Sequence, residues 1–392
     1  MQIQSLKTIE RLVRYARDQV FQNKIFPDIN HLLHHARGVE FGRLPKGIDH
    51  VVSVGCAGKW YFDWIEKAYG PVKKHVGVEF YSPKPSDLPS NVEWIRNTAG
   101  NMPEIPDECT QMVISGQNLE HLWPEDVVGF FLESYRILKP HGLLVVDSPN
   151  RDITKLYNWS HPEHTVELTP QEATELATLA GFHVTEVKGL WLCKSQRTGK
   201  LFKFDDMSRY GEGGITHRLN AAQKHPDDSF LWWIEARKGK HLPNEVRLKE
   251  RMKEIWNQNW PERCQRTISI VGKITGNNAA YESNGQAGVV MYGPYLPLRT
   301  GSYTVCLEME LLDGSLPQST QVISDVVAED GNTILSRKEL TLEPSEIGNR
   351  VKIDHLIETD RTLFGVQFRV IVSQGTRIRV FKNPNLVAKQ GW

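Results

Sequence analysis

Between about residue 50 and residue 240, short apolar runs alternate with amphipathic stretches. His50–Val54 predicts a buried strand that ends in a small-residue turn, and Trp60–Ala68 a helix. His75–Glu79, Val92–Arg96 and Gln111–Ser115 predict three further strands. Val127–Leu138 has helical spacing and is stopped by Lys139-Pro140-His141-Gly142, after which Leu143–Asp147 predicts a fifth strand. Thr169-Pro170-Gln171-Glu172 has the form of a capping box with proline at the first helical position. That helix runs to Gly181, and His183–Val187 and Phe230–Ala236 predict the last two strands. Strands alternating with helices predict an α/β, Rossmann-like parallel sheet with helices on both faces.

The flanking regions have other patterns. Residues 1–44 read as helical, with Leu6, Ile9, Leu12, Val13, Ala16, Val20 and Phe21 on one face. Lys7, Arg11, Arg14 and Arg17 lie on the other, a solvated basic face. Residues 194–228 read as a polar insertion, a loop or lid. Leu242–Trp260 reads as a charged linker helix. Beyond it, Arg266–Val271, Ala287–Tyr292, Tyr303–Leu311, Gln321–Val327, Leu335–Leu342, Val351–Ile357, Gly365–Val372 and Arg377–Phe381 predict short strands of an all-β sandwich or jelly roll. The predicted organisation is a helical segment over 1–44, an α/β domain over 45–240, a linker helix over 241–262 and a β-sandwich over 263–392.

Charge narrows the choice of partner. Lys+Arg and Asp+Glu are equal at 47 each, so the chain has no overall electrostatic footprint for nucleic acid. The five cysteines are scattered without a C-x-x-C pair, which argues against a disulfide framework or zinc site and for a reducing compartment. No apolar run has the length of a membrane span, so the expectation is a soluble, cytoplasmic protein.

The chemistry begins at the first predicted turn, VVSVGCAGKW, where Gly55, Ala57 and Gly58 leave room for backbone N–H groups to approach a ligand. Glu79 ends the next strand, where a carboxylate can accept the hydroxyls of a ribose. The stretch from Ile105 to Asn150 then carries an ordered set of motifs: Pro106-Asp107-Glu108, Leu119-Glu120-His121-Leu122 and Arg136-Ile137-Leu138-Lys139-Pro140-His141-Gly142. Met102-Pro103 precedes it and Ala180-Gly181-Phe182 follows. Over roughly residues 50–237 the chain resembles the class I S-adenosylmethionine-dependent methyltransferases of the type 11 group.

The resemblance implies a seven-stranded sheet with S-adenosyl-L-methionine lying across the carboxyl ends of its strands. It implies that Gly55, Cys56 and Ala57 lie under the methionine part, that Glu79 holds the ribose, and that Phe80 packs on the adenine. Thr98 and Ala99 would flank the adenine edge, and Gln117 and Asn118 would face the cofactor. Three positions depart from the family pattern. Ser53 stands where an acidic residue is usual, Ala57 and Lys59 replace the second and third glycines of G-x-G-x-G, and Thr98 replaces a common aspartate. A nicotinamide-dinucleotide fingerprint would need Gly55, Ala57 and Trp60 as its glycine series, and Trp60 does not suit close helix packing.

Methyl transfer to a hydroxyl needs a general base as well as orientation. The segment after the fifth strand holds Asn150, Arg151, Asp152, His161, Glu163, His164 and Glu167 and reads as an acceptor-facing loop. His164 is the leading base, followed by His121 and His161; the spacing matches no metal motif. Trp191 and the tyrosines Tyr292, Tyr295 and Tyr303 offer rings for stacking on a sugar, with core packing as the plainer reading. Residues 293–311 resemble β-sandwich modules of glycan-active bacterial enzymes. These features favour O-methylation of a saccharide or cell-surface glycan precursor. One alternative is a non-catalytic glycan-binding or assembly protein that keeps the fold. Another is a methyltransferase for a small amine or carboxylate, with the sandwich serving a homo-oligomer.

Overall fold

A computed structural model describes residues 26–159, 161, 163–208, 211–312 and 320–389. The basic face expected at Lys7, Arg11, Arg14 and Arg17 lies outside them. The chain divides into two units, one formed by residues up to Trp159 together with Glu167–Met252, the other by 160–166 together with the chain from Lys253. Among the described residues no helix is long and apolar enough to cross a membrane.

The first unit begins with α1 (Ile29–Arg43), capped by the Asp28 side chain, which accepts from the His31 N–H at 3.0 Å. Then follow β1 (His50–Val54), α2 (Lys59–Tyr69), β2 (Lys74–Val78), β3 (Val92–Ile95), β4 (Thr110–Gly116), α3 (Pro124–Ile137) and β5 (Leu138–Pro149). The rest of the unit is α4 (Arg151–Leu156), α5 (Pro170–Leu179), β6 (Phe182–Gly189), α6 (Ile215–Ala222), β7 (Leu231–Lys238) and the start of α7 (Glu245–Cys264). The capping box is present: Thr169 Oγ1 accepts from Glu172 N at 3.2 Å, and Glu172 Oε2 accepts from Thr169 N at 2.9 Å. The seven strands form one Rossmann-like α/β sheet in the order β3-β2-β1-β4-β5-β7-β6.

The sheet is mixed rather than wholly parallel, because β7 runs antiparallel to both β5 and β6. Neighbours joined at the same end of a sheet need no crossover helix, and the segment between β6 and β7 returns the chain to that end. The described residues of this segment before α6 are largely irregular, as expected for a loop. The segment folds around Arg218, which is fully buried. Arg218 Nε donates to Leu192 O at 2.6 Å, and Nη1 donates to the carbonyls of Lys203, Phe204 and Asp206 at 3.0, 3.3 and 3.3 Å. Its guanidinium lies 3.5 Å from the centroid of the Trp191 ring. Trp191 is therefore a core residue, not a surface for stacking on a sugar. Trp232 and Trp233 are also fully buried, and the Trp232 indole N–H donates to Leu168 O at 2.9 Å.

The second unit is all-β after α7. Its strands are β8 (Gly272–Thr275), β9 (Ala280–Ser283), β10 (Gly288–Met291), β11 (Pro294–Leu298), β12 (Gly301–Leu311), β13 (Thr320–Ala328), β14 (Thr333–Leu342), β15 (Arg350–Thr359), β16 (Leu363–Val372), β17 (Ile378–Phe381) and β18 (Asn385–Ala388). They form two antiparallel sheets, β10-β16-β13-β14 with β11 on β16, and β15-β12-β17-β9-β8 with β18 on β12. Along β12 the residues Tyr303, Val305, Leu307, Met309 and Leu311 are buried at period two. Tyr303 is thus a core residue, its hydroxyl donating to Arg299 O at 2.9 Å, and it offers no stacking face. Arg266–Val271 is not a strand: Thr267 is its buried position, Ile268 and Ile270 are exposed, and Ile268 alone bridges to Tyr292.

Arg218→Leu keeps the aliphatic bulk but leaves the carbonyls of the β6–β7 segment without their donor. A loss of about 3 kcal/mol is expected, read as a lower midpoint in urea unfolding of the full chain.

Candidate functional site

The candidate site lies at the carboxyl ends of β1, β2 and β4. Gly55 has a left-handed backbone (φ 72°), and its N–H donates to Val78 O at 2.9 Å, which ties the turn to β2. A Cβ at Gly55 would lie 2.5 Å from Asn118 Oδ1. The close approach of Asn118 therefore requires glycine here. Cys56 is fully buried, and burial together with Glu79 pushes its thiol far above the usual range. Its contribution to any ligand is its backbone. Ala57 also has positive φ (49°), and no side chain caps the start of α2 at Gly58.

Glu79 is buried at the end of β2, and its carboxylate is already engaged. Oε2 accepts from Ala57 N at 3.1 Å, and Oε1 accepts from Tyr81 N at 2.9 Å and Ser82 N at 3.0 Å. Of its roughly four acceptor directions three are taken, so one remains on Oε2. Phe80 is exposed beside it, its ring edge-on to Tyr81 with centroids 5.0 Å apart. After β3, Thr98 N donates to Asn97 Oδ1 at 2.8 Å and Ala99 is buried. Gln117 has positive φ (53°) and Asn118 Nδ2 donates to Ser115 Oγ at 3.2 Å.

Two buried contacts under this ring were not anticipated. Arg37 of α1 pairs with Asp147 of β5: Nε lies 2.8 Å from Oδ1, and Nη2 donates to Oδ2 at 3.1 Å. Gln117 adds to the pair, its Nε2 donating to Asp147 Oδ1 at 2.7 Å and its N–H to Asp147 O at 2.9 Å. A Cβ on Gly116 would lie 2.1 Å from Arg37 Nη2, so glycine at the end of β4 makes the pair possible. The only sequence signal was a lone acid closing the apolar run of β5. Ser53, where the family pattern places an acid, is buried 2.7 Å from His75 Nε2. Burial pushes the His75 imidazole down to about 3, so it is neutral.

Asn150 and Arg151, the first residues of the segment read as an acceptor loop, have structural partners. Asn150 is fully buried, its Nδ2 donating to the carbonyls of Asp227 and Ser229. Arg151 is held by both oxygens of Glu172, at 2.7 and 2.6 Å, and Thr154 donates to the Glu167 carboxylate. His121 ends the short turn Leu119–His121 that follows β4 in the first unit. His161 and His164 belong to the segment that folds with the second unit. Their rings stack with centroids 4.5 Å apart, and Arg263 Nη2 donates to His161 O at 2.9 Å.

Two measurements follow from these contacts. Asp147→Ala strands a buried guanidinium, so a loss of about 3–5 kcal/mol is expected. Arg37→Met combined with Asp147→Leu should lose much less, as read by urea unfolding. For His75, the unfolded chain takes up a proton as pH falls from 6.5 towards 3 while the folded chain does not. Its contribution to stability is therefore complete above that window and is lost through it. Unfolding free energy in His75→Gln should fall less steeply with acid than in the wild type.

Residues 52–146 match the family model described as a methyltransferase domain. A protein of Mycolicibacterium smegmatis named "Probable S-adenosylmethionine-dependent methyltransferase" is 30% identical over 149 residues, 36% of this chain and 54% of that protein. A Mycobacterium tuberculosis protein of the same description is 29% identical over 145 residues, 36% of this chain and 51% of that protein. The chain thus spans about half the length of the curated relatives it matches. A solved S-adenosylmethionine-dependent methyltransferase of Archaeoglobus fulgidus aligns over 56% of this chain and 98% of its own, with 22% identity and a TM-score of 0.37. The part of the chain that matches the family model includes the Cys56–Ala57 turn, Glu79 and Gln117–Asn118.

Proposed function

We propose that this chain transfers a methyl group from S-adenosyl-L-methionine to an acceptor hydroxyl. The observation that carries this reading is the Gly55 turn, where glycine lets the Asn118 side chain lie against the backbone after β1 and Glu79 Oε2 accepts from the Ala57 N–H. In this reading the backbone of Gly55, Cys56 and Ala57 supports the methionine part. The remaining acceptor direction of Glu79 Oε2 takes one ribose hydroxyl. Phe80 covers the adenine, Thr98 and Ala99 flank its edge, and Gln117 and Asn118 face the cofactor. Bound there, the cofactor supplies an electrophilic methyl group on a sulfonium. The chain's own task is to orient the acceptor, exclude water and accept a proton. His164, His121 and His161 are the bases that the sequence reading assigns to that last step.

The acceptor we propose is a saccharide or glycan precursor. What supports this is the appended two-sheet module, where Tyr292 and Tyr295 remain half-buried. Transfer of a labelled methyl group to a panel of oligosaccharides, run beside small amines and carboxylates, separates the substrate classes.

The first test is calorimetric titration with S-adenosylhomocysteine. Micromolar binding to the wild type is expected. Glu79→Ala should weaken it at least tenfold, about 1.4 kcal/mol, since the mutation removes a ligand acceptor and releases the Ala57 and Tyr81 amides together. Absence of saturable binding to the wild type would overturn the proposal.

A further inference from the structure

The fold places one histidine beside the glycine turn that the motif reading did not single out. His34 lies on α1 one turn before Arg37, and its ring stacks on Trp64 of α2 with centroids 4.1 Å apart and planes at 28°. On its other side Trp60 lies 5.9 Å away, centroid to centroid. Trp60 is the second residue of α2 and is more than half exposed. A Cβ built on Gly58 would lie 3.6 Å from its Cδ1, so the indole edge stands against the turn itself. Arg37, from the same face of α1, reaches Gly116 and Asp147 at the ends of β4 and β5. His34 is therefore linked through Trp60 to the Gly55–Gly58 turn and through its helix neighbour Arg37 to the end of β4, the two elements that form the candidate cofactor site.

Among the described residues neither ring nitrogen of His34 has a hydrogen-bond partner. Burial, with Arg37 and the neighbouring His31 and His35, holds its imidazole below the usual range. Of the other charges nearby, Arg37 is paired with Asp147, and on α2 Lys59 is paired with Asp63 at 2.7 Å. The ring is thus neutral near pH 7 and has a lone pair to offer.

We infer that His34, in place of His164, His121 and His161, is the group that accepts the acceptor's proton, with Trp60 as the ring face against which the acceptor lies. This rests on the methyltransferase reading above. In the step, the acceptor oxygen bonds to the methyl carbon as the carbon–sulfur bond breaks and its electron pair goes to sulfur. The hydroxyl proton passes to a His34 ring nitrogen, and the imidazolium later releases it to solvent.

The experiment follows the histidine ring signals of the full-length protein by NMR through a pH titration. Saturating S-adenosylmethionine is compared with saturating S-adenosylhomocysteine, and His34→Gln identifies the signal. The two ligands differ by a methyl group and its positive charge. A nearby cation should lower the His34 titration midpoint by about one pH unit in the first complex relative to the second, with no such difference at His50 or His183. If both ligands bind and the His34 midpoint is the same in each, His34 does not face the reacting methyl group and the inference falls while the cofactor reading stands. If neither ligand binds, both fall.

Discussion

The candidate site depends on one buried ion pair. Arg37 and Asp147 come from a helix that precedes the sheet and from its fifth strand, and each would be costly to bury alone. Together they fix where α1 sits over the ends of β4 and β5. Gln117 is held by the same carboxylate, so the residue that leaves β4 has little freedom of its own. Gly116 is bound to this arrangement because a side chain there would displace the guanidinium. The position of α1, the exit of β4 and the placement of His34 all follow from that contact.

Arg218 plays a comparable part farther from the site, with a different chemistry. Among the described residues no carboxylate is hydrogen-bonded to it; carbonyl oxygens of three loop residues and of Leu192 receive its protons, and an indole face covers it. A segment that is polar in composition can fold in this way, because one cation satisfies many backbone acceptors that would otherwise need water.

The sequence made most of the first unit legible, because strand and helix periods are local. The strand at His50–Val54, the capping box at Thr169 and the end of the helix at Ile137 are all set by neighbours a few residues away, although β5 already starts at Leu138 and runs through Lys139–Gly142. The direction of β7 was not legible, since it depends on how the chain returns from β6. The order of residues in Asn150–Glu167 suggested a shared loop, but Arg151 and Asn150 are used up by partners that the sequence does not mark. In the second unit long alternating strands such as β12 were evident. The four-residue strands β8, β9 and β18 were not, because too few positions alternate to define a period. The Arg37–Asp147 pair spans 110 positions, beyond the reach of any local pattern.

Glu79 holds the turn after β1 and the loop after β2 in shape through three backbone amides. In the role proposed for it, Glu79 would meet a ligand with almost no freedom left to lose. The ordering entropy that weakens many flexible sites has already been spent in folding. Affinity at such a position would be inherited from the stability of the sheet, and whatever loosens β2 would loosen the ligand with it.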